Sequence, residues 1–315
     1  MVGTVEGTVE GTVKALVPHA DAAAWMGGVP DGVEVLVWPG SGPLPPGAQD
    51  AQVFVPPFLS SGEPLAVMAT LPALRVVQLL TAGAEAVRGH VPPGVTVCRA
   101  AGVHDPSTAE WVLATILASL RDIPRFVLAQ AAGRWDYTPT DVLAGKTVLI
   151  VGVGSIGAAV EARLSGFDVE VLRAARHARD GVAAIEDVGA LLPRADVVVV
   201  LVPLTEETHG LVDASFLARM KDRALLVNAA RGPVVDTAAL LAELQTGRLR
   251  AALDVTEPEP LPAGHPLWSA PGILITPHVA GSTPLSLPRS YALVRRQLER
   301  YVAGESLHHV VTGEY

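Results

Sequence analysis

The sequence predicts an α/β protein with doubly wound parallel sheets. In the second half of the chain, short apolar strands alternate with helical segments, and this alternation is typical of a parallel sheet covered by helices on both faces. A glycine-rich turn directly follows the first of these strands. Folds of this kind bind ligands at the carboxyl ends of their strands. The predicted strands are residues 147–151, 168–173, 197–202, 224–229, 251–255 and 273–276.

The N-terminal part of the chain predicts a second, smaller parallel unit. Its short apolar segments are separated by loops rich in proline and glycine, which is the pattern of strands and turns. Residues 3–13 contain a brief Gly-Thr-Val-Glu repeat, and we interpret this stretch as a frayed N-terminal extension or as the product of a start codon placed too early. The predicted strands are residues 13–17, 33–38, 51–55, 74–80 and 95–98.

Two long helices lie near the borders between these parts. The first is predicted over roughly residues 105–130, and the last over residues 284–303, before a short tail that can return to the N-terminal unit. We therefore predict a discontinuous domain of residues 1–100 and 284–315, and a continuous domain of residues 101–283.

Composition argues against several classes of partner. The formal charge of the 315-residue chain is −9, which argues against binding to nucleic acid or to anionic membranes. No apolar run has the length of a membrane span, and the N-terminus lacks the features of a signal peptide. Cys98 is the only cysteine, so no disulfide can form within the chain and a cytoplasmic location is expected. No cluster of cysteine and histidine has the spacing of a metal site.

A strand, a glycine-rich turn and a helix follow one another over residues 147–164. Gly152, Gly154 and Gly157 form the pattern G-x-G-x-x-G. In a dinucleotide site the first glycine permits the tight turn, the second lets the pyrophosphate approach the backbone, and the third lets the helix pack closely against the strand. Such glycines also occur in structural turns, but their position between a buried strand and a helix favours a phosphate-binding loop.

The residues after the next strand favour NADP over NAD. In NAD-binding folds an acidic residue at the end of this strand holds the ribose hydroxyls. Glu170 lies in the middle of the predicted strand and is too early for this role, whereas Arg176, His177 and Arg179 follow the strand end. An arginine there can bind a 2′-phosphate through two parallel hydrogen bonds. The alternative is that these side chains form a solvated loop.

Three polar side chains follow later strands of the same sheet. Arg231, Glu259 and His278 each come after a predicted strand, so they are expected at one edge of the sheet. Singly, they could be a surface charge, part of an acidic loop and an ordinary loop histidine. Together they suit hydride chemistry on a keto or hydroxy acid. Histidine exchanges protons near neutral pH, a carboxylate stabilises the imidazolium, and arginine binds a substrate carboxylate and polarises its carbonyl group.

Six segments carry recognisable motifs, namely residues 151–157, 201–205, 228–236, 253–260, 265–268 and 276–282. Through them the sequence resembles the D-isomer-specific 2-hydroxyacid dehydrogenase family over roughly residues 70–310. The resemblance implies two Rossmann-like or flavodoxin-like domains, with a substrate domain made from both chain ends. It also implies a homodimer that forms largely through the cofactor domain, and it makes Arg231, Glu259 and His278 the catalytic residues.

We expect the cofactor to contact the glycine loop, the strand ends beside it and the catalytic residues. The proposed cofactor contacts are Gly152, Gly154, Ser155, Ile156, Gly157, Arg173, Arg176, Pro203, Thr208, Ala229, Arg231, Asp254 and His278.

Two N-terminal loops are expected to shape the substrate pocket. The family's carboxylate-binding loop corresponds to residues 79–84, where the amides of Ala82 and Gly83 can bind an anion; an ordinary turn is the alternative. The other loop, residues 55–63, contains Phe58, which could equally be a core residue, but neither arginine nor lysine. This composition argues against a phosphorylated substrate. The expected substrate contacts are Phe58, Ala82, Gly83, Arg231 and His278.

The predicted activity is the NAD(P)-dependent interconversion of a small 2-keto acid, such as glyoxylate or hydroxypyruvate, and its D-2-hydroxy acid, with His278 as general acid and base. Two alternatives stay open. One is a nucleotide-sensing binding protein, like the corepressor relatives of the family, and the other is a phosphite dehydrogenase-like enzyme. Formate dehydrogenase relatives differ at the glutamate position, so Glu259 argues against that activity.

Overall fold

A computed structural model describes residues 11–60 and 62–312. The chain divides into two compact units, of which the second is Asp105–Thr283 and the first comprises the two flanking segments. The predicted border was residue 100, slightly before the observed one. Most of the proposed N-terminal extension, residues 3–10, lies outside the described residues.

Within the described residues, the first unit contains five strands and three α-helices, which are β1 Val13–Val17, α1 Ala22–Trp25, β2 Val33–Val37, β3 Ala51–Phe54, α2 Glu63–Ala66, β4 Val76–Gln78, β5 Thr96–Cys98 and α8 Ser286–Val302. The strands are parallel and have the order β2-β1-β3-β4-β5, which is the flavodoxin-like order. Tyr291 and Leu298 of α8 are buried in the same hydrophobic core cluster as Val13 of β1. The tail beyond α8 also returns to this unit, through an antiparallel bridge between Cys98 and Val310.

The second unit, all of whose residues are described, contains seven strands and five α-helices, which are α3 Asp105–Leu120, α4 Ile123–Ala131, β6 Thr147–Val151, α5 Ser155–Leu164, β7 Glu170–Ala175, β8 Ala183–Ala184, β9 Val197–Val200, α6 Ala214–Arg219, β10 Leu225–Asn228, α7 Thr237–Gln245, β11 Arg250–Leu253 and β12 Ile273–Ile275. The parallel strands have the order β12-β11-β10-β9-β6-β7-β8. This is the Rossmann order, whose ligand crevice opens where the order reverses, between β6 and β9.

Strand β6 explains why the sequence gives continuous apolar runs. Leu149 and Val151 belong to the core on one face of the sheet, and Val148 and Ile150 belong to the core on the other face. Successive side chains of a strand point to opposite faces, so a strand that is buried on both sides must be apolar at every position. The predicted α/β fold with doubly wound parallel sheets is confirmed.

Two local predictions were wrong. The helix predicted over residues 105–130 is two helices, because Asp122 adopts a left-handed conformation with φ 49° and Pro124 lies in the first turn of α4, where proline is tolerated. Strand β7 begins at Glu170 rather than at Asp168, which has φ 48°. Within the described part of the chain, no helix is both long and apolar enough to cross a membrane.

Candidate active site

The glycine loop after β6 lies at the point where the strand order reverses. Gly152 has φ 110°, and a Cβ atom there would lie 2.6 Å from the carbonyl carbon of Leu201. A Cβ atom on Gly157 would lie 2.4 Å from the oxygen of Gly152. A Cβ atom on Gly154, in contrast, would have no heavy atom within 4 Å. The first and third glycines are therefore required by the backbone, whereas the second leaves open space of the kind that a pyrophosphate needs.

Helix α5 begins directly after Gly154, beside this open space. Its first backbone hydrogen bond runs from the amide of Ala158 to the oxygen of Gly154, at 2.9 Å. The amides of Ser155, Ile156 and Gly157 precede that bond, and the first amides of a helix carry partial positive charge. The loop therefore fits the phosphates of a dinucleotide.

This fit predicts that Gly154→Ala leaves the fold intact but weakens cofactor binding. The methyl group has room in the free protein, so the melting temperature should stay within about 2 °C of wild type, because exposed substitutions rarely exceed ~0.5 kcal/mol. In the complex it would occupy the approach of the pyrophosphate, and the Kd of NADPH should rise at least about tenfold, or about 1.4 kcal/mol. Titration of nicotinamide fluorescence measures this change.

Gly166→Ala is the matched control, because its Cβ atom also meets nothing within 4 Å and it lies after α5, away from the loop. It should leave both the stability and the Kd unchanged. An unchanged Kd in the Gly154 variant would contradict the phosphate-loop assignment.

The arginines near the end of β7 have different surroundings. Arg173 lies within the strand and forms a bidentate pair with Glu161 of α5, one bond of which, from Nε to Oε2, is 2.9 Å. This pairing favours a structural role over the cofactor contact that the sequence suggested. Arg176 follows the strand directly, is exposed, and pairs with Glu207 at 2.7 Å. Arg179 donates from Nη2 to the oxygen of Val153 in the glycine loop, at 3.2 Å.

The next loops of this sheet edge hold three further residues proposed for the cofactor. The hydroxyl of Thr208 donates to the oxygen of Pro203 at 2.5 Å and accepts from the amide of Thr205 at 2.8 Å, so it closes the loop after β9. Ala229 follows β10, and its amide donates to the oxygen of Val200 at 3.3 Å. All three lie in the loops that follow the carboxyl ends of β9 and its neighbour β10.

His278 and Glu259 are in direct contact. Nδ1 of His278 lies 2.6 Å from Oε1 of Glu259, and both side chains are partly accessible to solvent. Because the carboxylate can only accept, this contact assigns the proton of the neutral imidazole to Nδ1. Nε2 is then the ring nitrogen left to exchange a proton with a ligand.

Asp254 holds the His278 loop in place. Its buried carboxylate accepts hydrogen bonds from the hydroxyl of Thr276 at 2.6 Å and from the amides of Val279 and Ala280 at 2.9 Å. Its backbone oxygen accepts from the amide of His278 at 2.7 Å. These bonds fix a turn in which His278 adopts the left-handed conformation, with φ 54°. Asp254 was proposed as a cofactor contact, and the structure gives its carboxylate three partners within the protein.

The loop of Arg231 lies directly against the loop that precedes Glu259. The side chain of Asn228 closes the Arg231 turn, accepting from the amide of Ala230 at 3.0 Å and donating to the oxygen of Arg231 at 3.1 Å. A Cβ atom on Gly232 would lie only 1.9 Å from the backbone oxygen of Thr256. The three predicted catalytic residues therefore lie on adjoining loops, with His278 and Glu259 in contact and Arg231 on the neighbouring turn.

In the first unit, the two predicted substrate loops meet at a buried histidine. Nε2 of His104 lies 2.7 Å from the oxygen of Leu80, and its ring centroid lies 5.7 Å from that of Phe58. The hydroxyl of Thr81 donates to the oxygen of Gly83 at 2.7 Å, which shapes the turn that contains Ala82. His104 thus contacts both of the predicted loops.

Comparisons with known proteins agree with this geometry. Residues 113–280 match the family model described as D-isomer specific 2-hydroxyacid dehydrogenase, NAD binding domain. The chain belongs to this family.

Relatives and solved structures support the assignment. A glyoxylate reductase of Thermofilum pendens is 36% identical over 76% of this chain and 75% of its own length. A glyoxylate/hydroxypyruvate reductase B of Citrobacter koseri is 36% identical over 75% of this chain and 78% of its own length. A D-isomer specific 2-hydroxyacid dehydrogenase of Xanthobacter autotrophicus Py2, solved with NADPH and MES, is 32% identical with a TM-score of 0.81 over 96% of this chain and 98% of its own.

A further solved structure is the NADPH-dependent glyoxylate/hydroxypyruvate reductase of Sinorhizobium meliloti in complex with citrate. It is 26% identical, with a TM-score of 0.80 over 95% of this chain and 98% of its own. The predicted enzyme class, an NAD(P)-dependent oxidoreductase of the D-2-hydroxyacid dehydrogenase type, is confirmed, and so is a nicotinamide cofactor.

Sequence reasoning missed two positioning residues of this dehydrogenase. Asp254 was noticed only as a cofactor contact, although a buried aspartate directly after a strand is a signal for loop anchoring, because buried carboxylates need several donors. His104 was not noticed. No short motif identifies it, since its partners Leu80 and Phe58 are distant in the sequence.

Proposed function

We propose that this dehydrogenase interconverts a small 2-keto acid and its D-2-hydroxy acid, with NADP as the preferred cofactor. The observation that carries the proposal is the 2.6 Å contact between Nδ1 of His278 and Oε1 of Glu259, at the sheet edge that also holds the glycine loop. This pair is suited to moving a proton, which a hydride transfer to a carbonyl group requires.

The three residues have distinct roles in the proposed reaction. When bound, the reduced nicotinamide supplies the hydride for the carbonyl carbon. His278 donates the proton from Nε2 to the carbonyl oxygen as the alcohol forms, and takes it back in the reverse direction. Glu259 holds the imidazole in one tautomer and stabilises its protonated form. Arg231 binds the substrate carboxylate through its planar fork of N–H donors and polarises the adjacent carbonyl group.

The end of β7 supports NADP as the preferred cofactor. Ala174 and Ala175 close the strand, both buried, and Arg176 follows with an exposed guanidinium. The strand itself ends without an acidic residue that could hold the ribose hydroxyls, and the arginine that follows it suits a 2′-phosphate. The Xanthobacter relative was solved with NADPH, which agrees with this preference.

Glyoxylate and hydroxypyruvate are the proposed substrates. The loop that contains Phe58 carries neither arginine nor lysine, so it offers no cation for a phosphorylated substrate. The Thermofilum relative is named for glyoxylate, and the Citrobacter relative is named for both keto acids. A cytoplasmic location stays a prediction from the single cysteine.

An initial-rate panel tests this function. Purified protein should oxidise NADPH in the presence of glyoxylate or hydroxypyruvate, and it should do so faster than NADH at equal concentration. In the reverse direction it should oxidise D-glycerate but not L-glycerate. Tight binding of NADPH without turnover on any 2-keto acid of the panel would contradict the proposal and would favour the nucleotide-sensing alternative.

We also propose that the enzyme is a homodimer formed through the second unit. Helix α4 and the segment after it expose a group of large apolar side chains, and Trp135 is 97% exposed. A concentration of exposed large apolar side chains in one segment is typical of a protein interface. We propose that a second copy of the chain covers these side chains. The exposed residues are Ile123, Val127, Leu128, Trp135, Tyr137 and Val142.

Leu128→Glu should convert this dimer to a monomer. A carboxylate at an interface centre is left without a partner, and we expect the dimer dissociation constant to rise at least about 100-fold, or about 3 kcal/mol. Light scattering after size-exclusion chromatography measures the mass. Val29→Glu, at an exposed apolar position in the first unit, is the control and should leave the mass at twice that of the chain. A wild-type protein with the mass of one chain would refute the dimer.

A further inference from the structure

An ion pair links the two loops on either side of the glycine loop. Nη2 of Arg176 lies 2.7 Å from Oε2 of Glu207. Arg176 directly follows β7, and Glu207 lies in the loop after β9. Strand β6 lies between β7 and β9 in the sheet. The pair therefore bridges the carboxyl end of β6, from which the glycine loop emerges.

The charges around this bridge leave Glu207 ionised. The Arg176 guanidinium holds the pKa of Glu207 below its usual value, and the nearby His177 acts in the same direction. The side chains of Arg176 and Glu207 are 61% and 62% exposed, so a ligand can reach both of them. Arg179 is bound to the backbone of the glycine loop at Val153. Arg176 is thus an accessible cation that already holds a carboxylate.

We propose that Glu207 is a specificity-determining residue that sets how strongly the enzyme prefers NADP over NAD. This inference rests on the proposed role of Arg176 as the ligand of the 2′-phosphate. A 2′-phosphate that binds Arg176 must displace the Glu207 carboxylate, or share the guanidinium with it at close range and suffer like-charge repulsion. NAD has no phosphate at this position, so its binding leaves the ion pair intact. Glu207 therefore weakens the binding of NADP selectively and moderates the preference that Arg176 creates.

Glu207→Gln tests this role, because it keeps the size and polarity of the side chain and removes only the charge. The Kd values of NADPH and NADH are measured by titration of nicotinamide fluorescence at low ionic strength. The Kd of NADPH should fall about two- to fivefold, which is the range that an exposed ion pair contributes, and the Kd of NADH should stay within about 1.5-fold. The gain should shrink in 0.5 M NaCl, because added salt screens the charges: the screening length falls from about 10 Å at 0.1 M to about 3 Å at 1 M.

Glu206→Gln is the matched control. It removes the same charge from the neighbouring position of the same exposed loop, so it reports any effect of net charge alone. It should change neither Kd by more than about 1.5-fold, as expected for a surface charge without a close partner in the complex. An effect of Glu207→Gln on NADPH no larger than that of the control would overturn the inference. A weaker binding of NADH with unchanged NADPH would overturn it as well.

Arg176→Gln separates this inference from the cofactor proposal on which it rests. If Arg176 binds the 2′-phosphate, its loss should raise the Kd of NADPH at least about tenfold and leave the Kd of NADH nearly unchanged. A large effect of Arg176→Gln together with no effect of Glu207→Gln would overturn only the role of Glu207. No effect of Arg176→Gln would overturn both the NADP assignment and the role of Glu207, while the keto acid panel would still test the reaction.

Discussion

Replacement of His278 by asparagine is expected to lower kcat for glyoxylate reduction about 10³-fold, because general acid–base catalysis contributes 10²–10⁴-fold. Asparagine is the appropriate replacement because His278 adopts a left-handed backbone conformation with φ 54°, which asparagine tolerates better than alanine does. The variant keeps a polar group beside Glu259 but cannot exchange a proton near neutral pH. Stopped-flow measurement of NADPH oxidation gives the rate of the chemical step.

The Kd of NADPH is the control for this variant and should change by less than about threefold, since the glycine loop supplies most of the phosphate contacts. Glu259→Gln keeps the shape of the pair but removes the negative charge, and it should lower kcat by a smaller factor, about 10–100-fold, because the imidazole remains present while its protonated form loses its partner. Retention of more than about a tenth of the wild-type kcat in the His278 variant would exclude it as the acid and base.

The strand ends of the second unit were predictable because parallel strands impose a simple geometry. A run such as Thr147–Val151 has only one stable environment, the centre of a covered sheet. Once the strands are identified, Arg231, Glu259 and His278 must lie at the same edge, whatever their separation in sequence. The contact between His278 and Glu259 was expected from this edge alone. Its exact form depends on the hydrogen bonds of Asp254, which no local pattern reveals.

Other features depend on single backbone conformations or on distant partners. The break between α3 and α4 and the delayed start of β7 follow from positive φ angles at Asp122 and Asp168, and an apolar pattern does not report φ. Arg173 and Arg176 are both arginines near the end of the same strand, so the sequence does not distinguish them. Their roles differ because Arg173 pairs with Glu161, whereas Arg176 pairs with Glu207. Such pairings between separate elements of the fold become visible only when the chain is folded.

Gly232→Ala is expected to have the largest effect on stability of any glycine substitution in the second unit. A Cβ atom at this position would lie 1.9 Å from the oxygen and 2.3 Å from the carbonyl carbon of Thr256. Because both obstacles are backbone atoms, no rotation of a side chain can relieve the clash, and one of the two loops must move. We expect the free energy of unfolding to fall by about 3 kcal/mol or more, and the melting temperature to fall by roughly 6 °C or more.

The same substitution should also separate the loops that carry the chemistry. Gly232 follows Arg231, and Thr256 lies in the loop that leads to Glu259, so any movement that admits the methyl group changes the position of the guanidinium relative to the His278 pair. A displacement of about 1 Å can cost about 10²-fold in rate, and we expect kcat/KM for glyoxylate to fall by at least that factor at a temperature where the variant is folded. Gly166→Ala has no obstacle within 4 Å and should match wild type in melting temperature and in kcat/KM. If Gly232→Ala did so too, the two loops would not be held together by this contact, and the close approach would not be what positions Arg231.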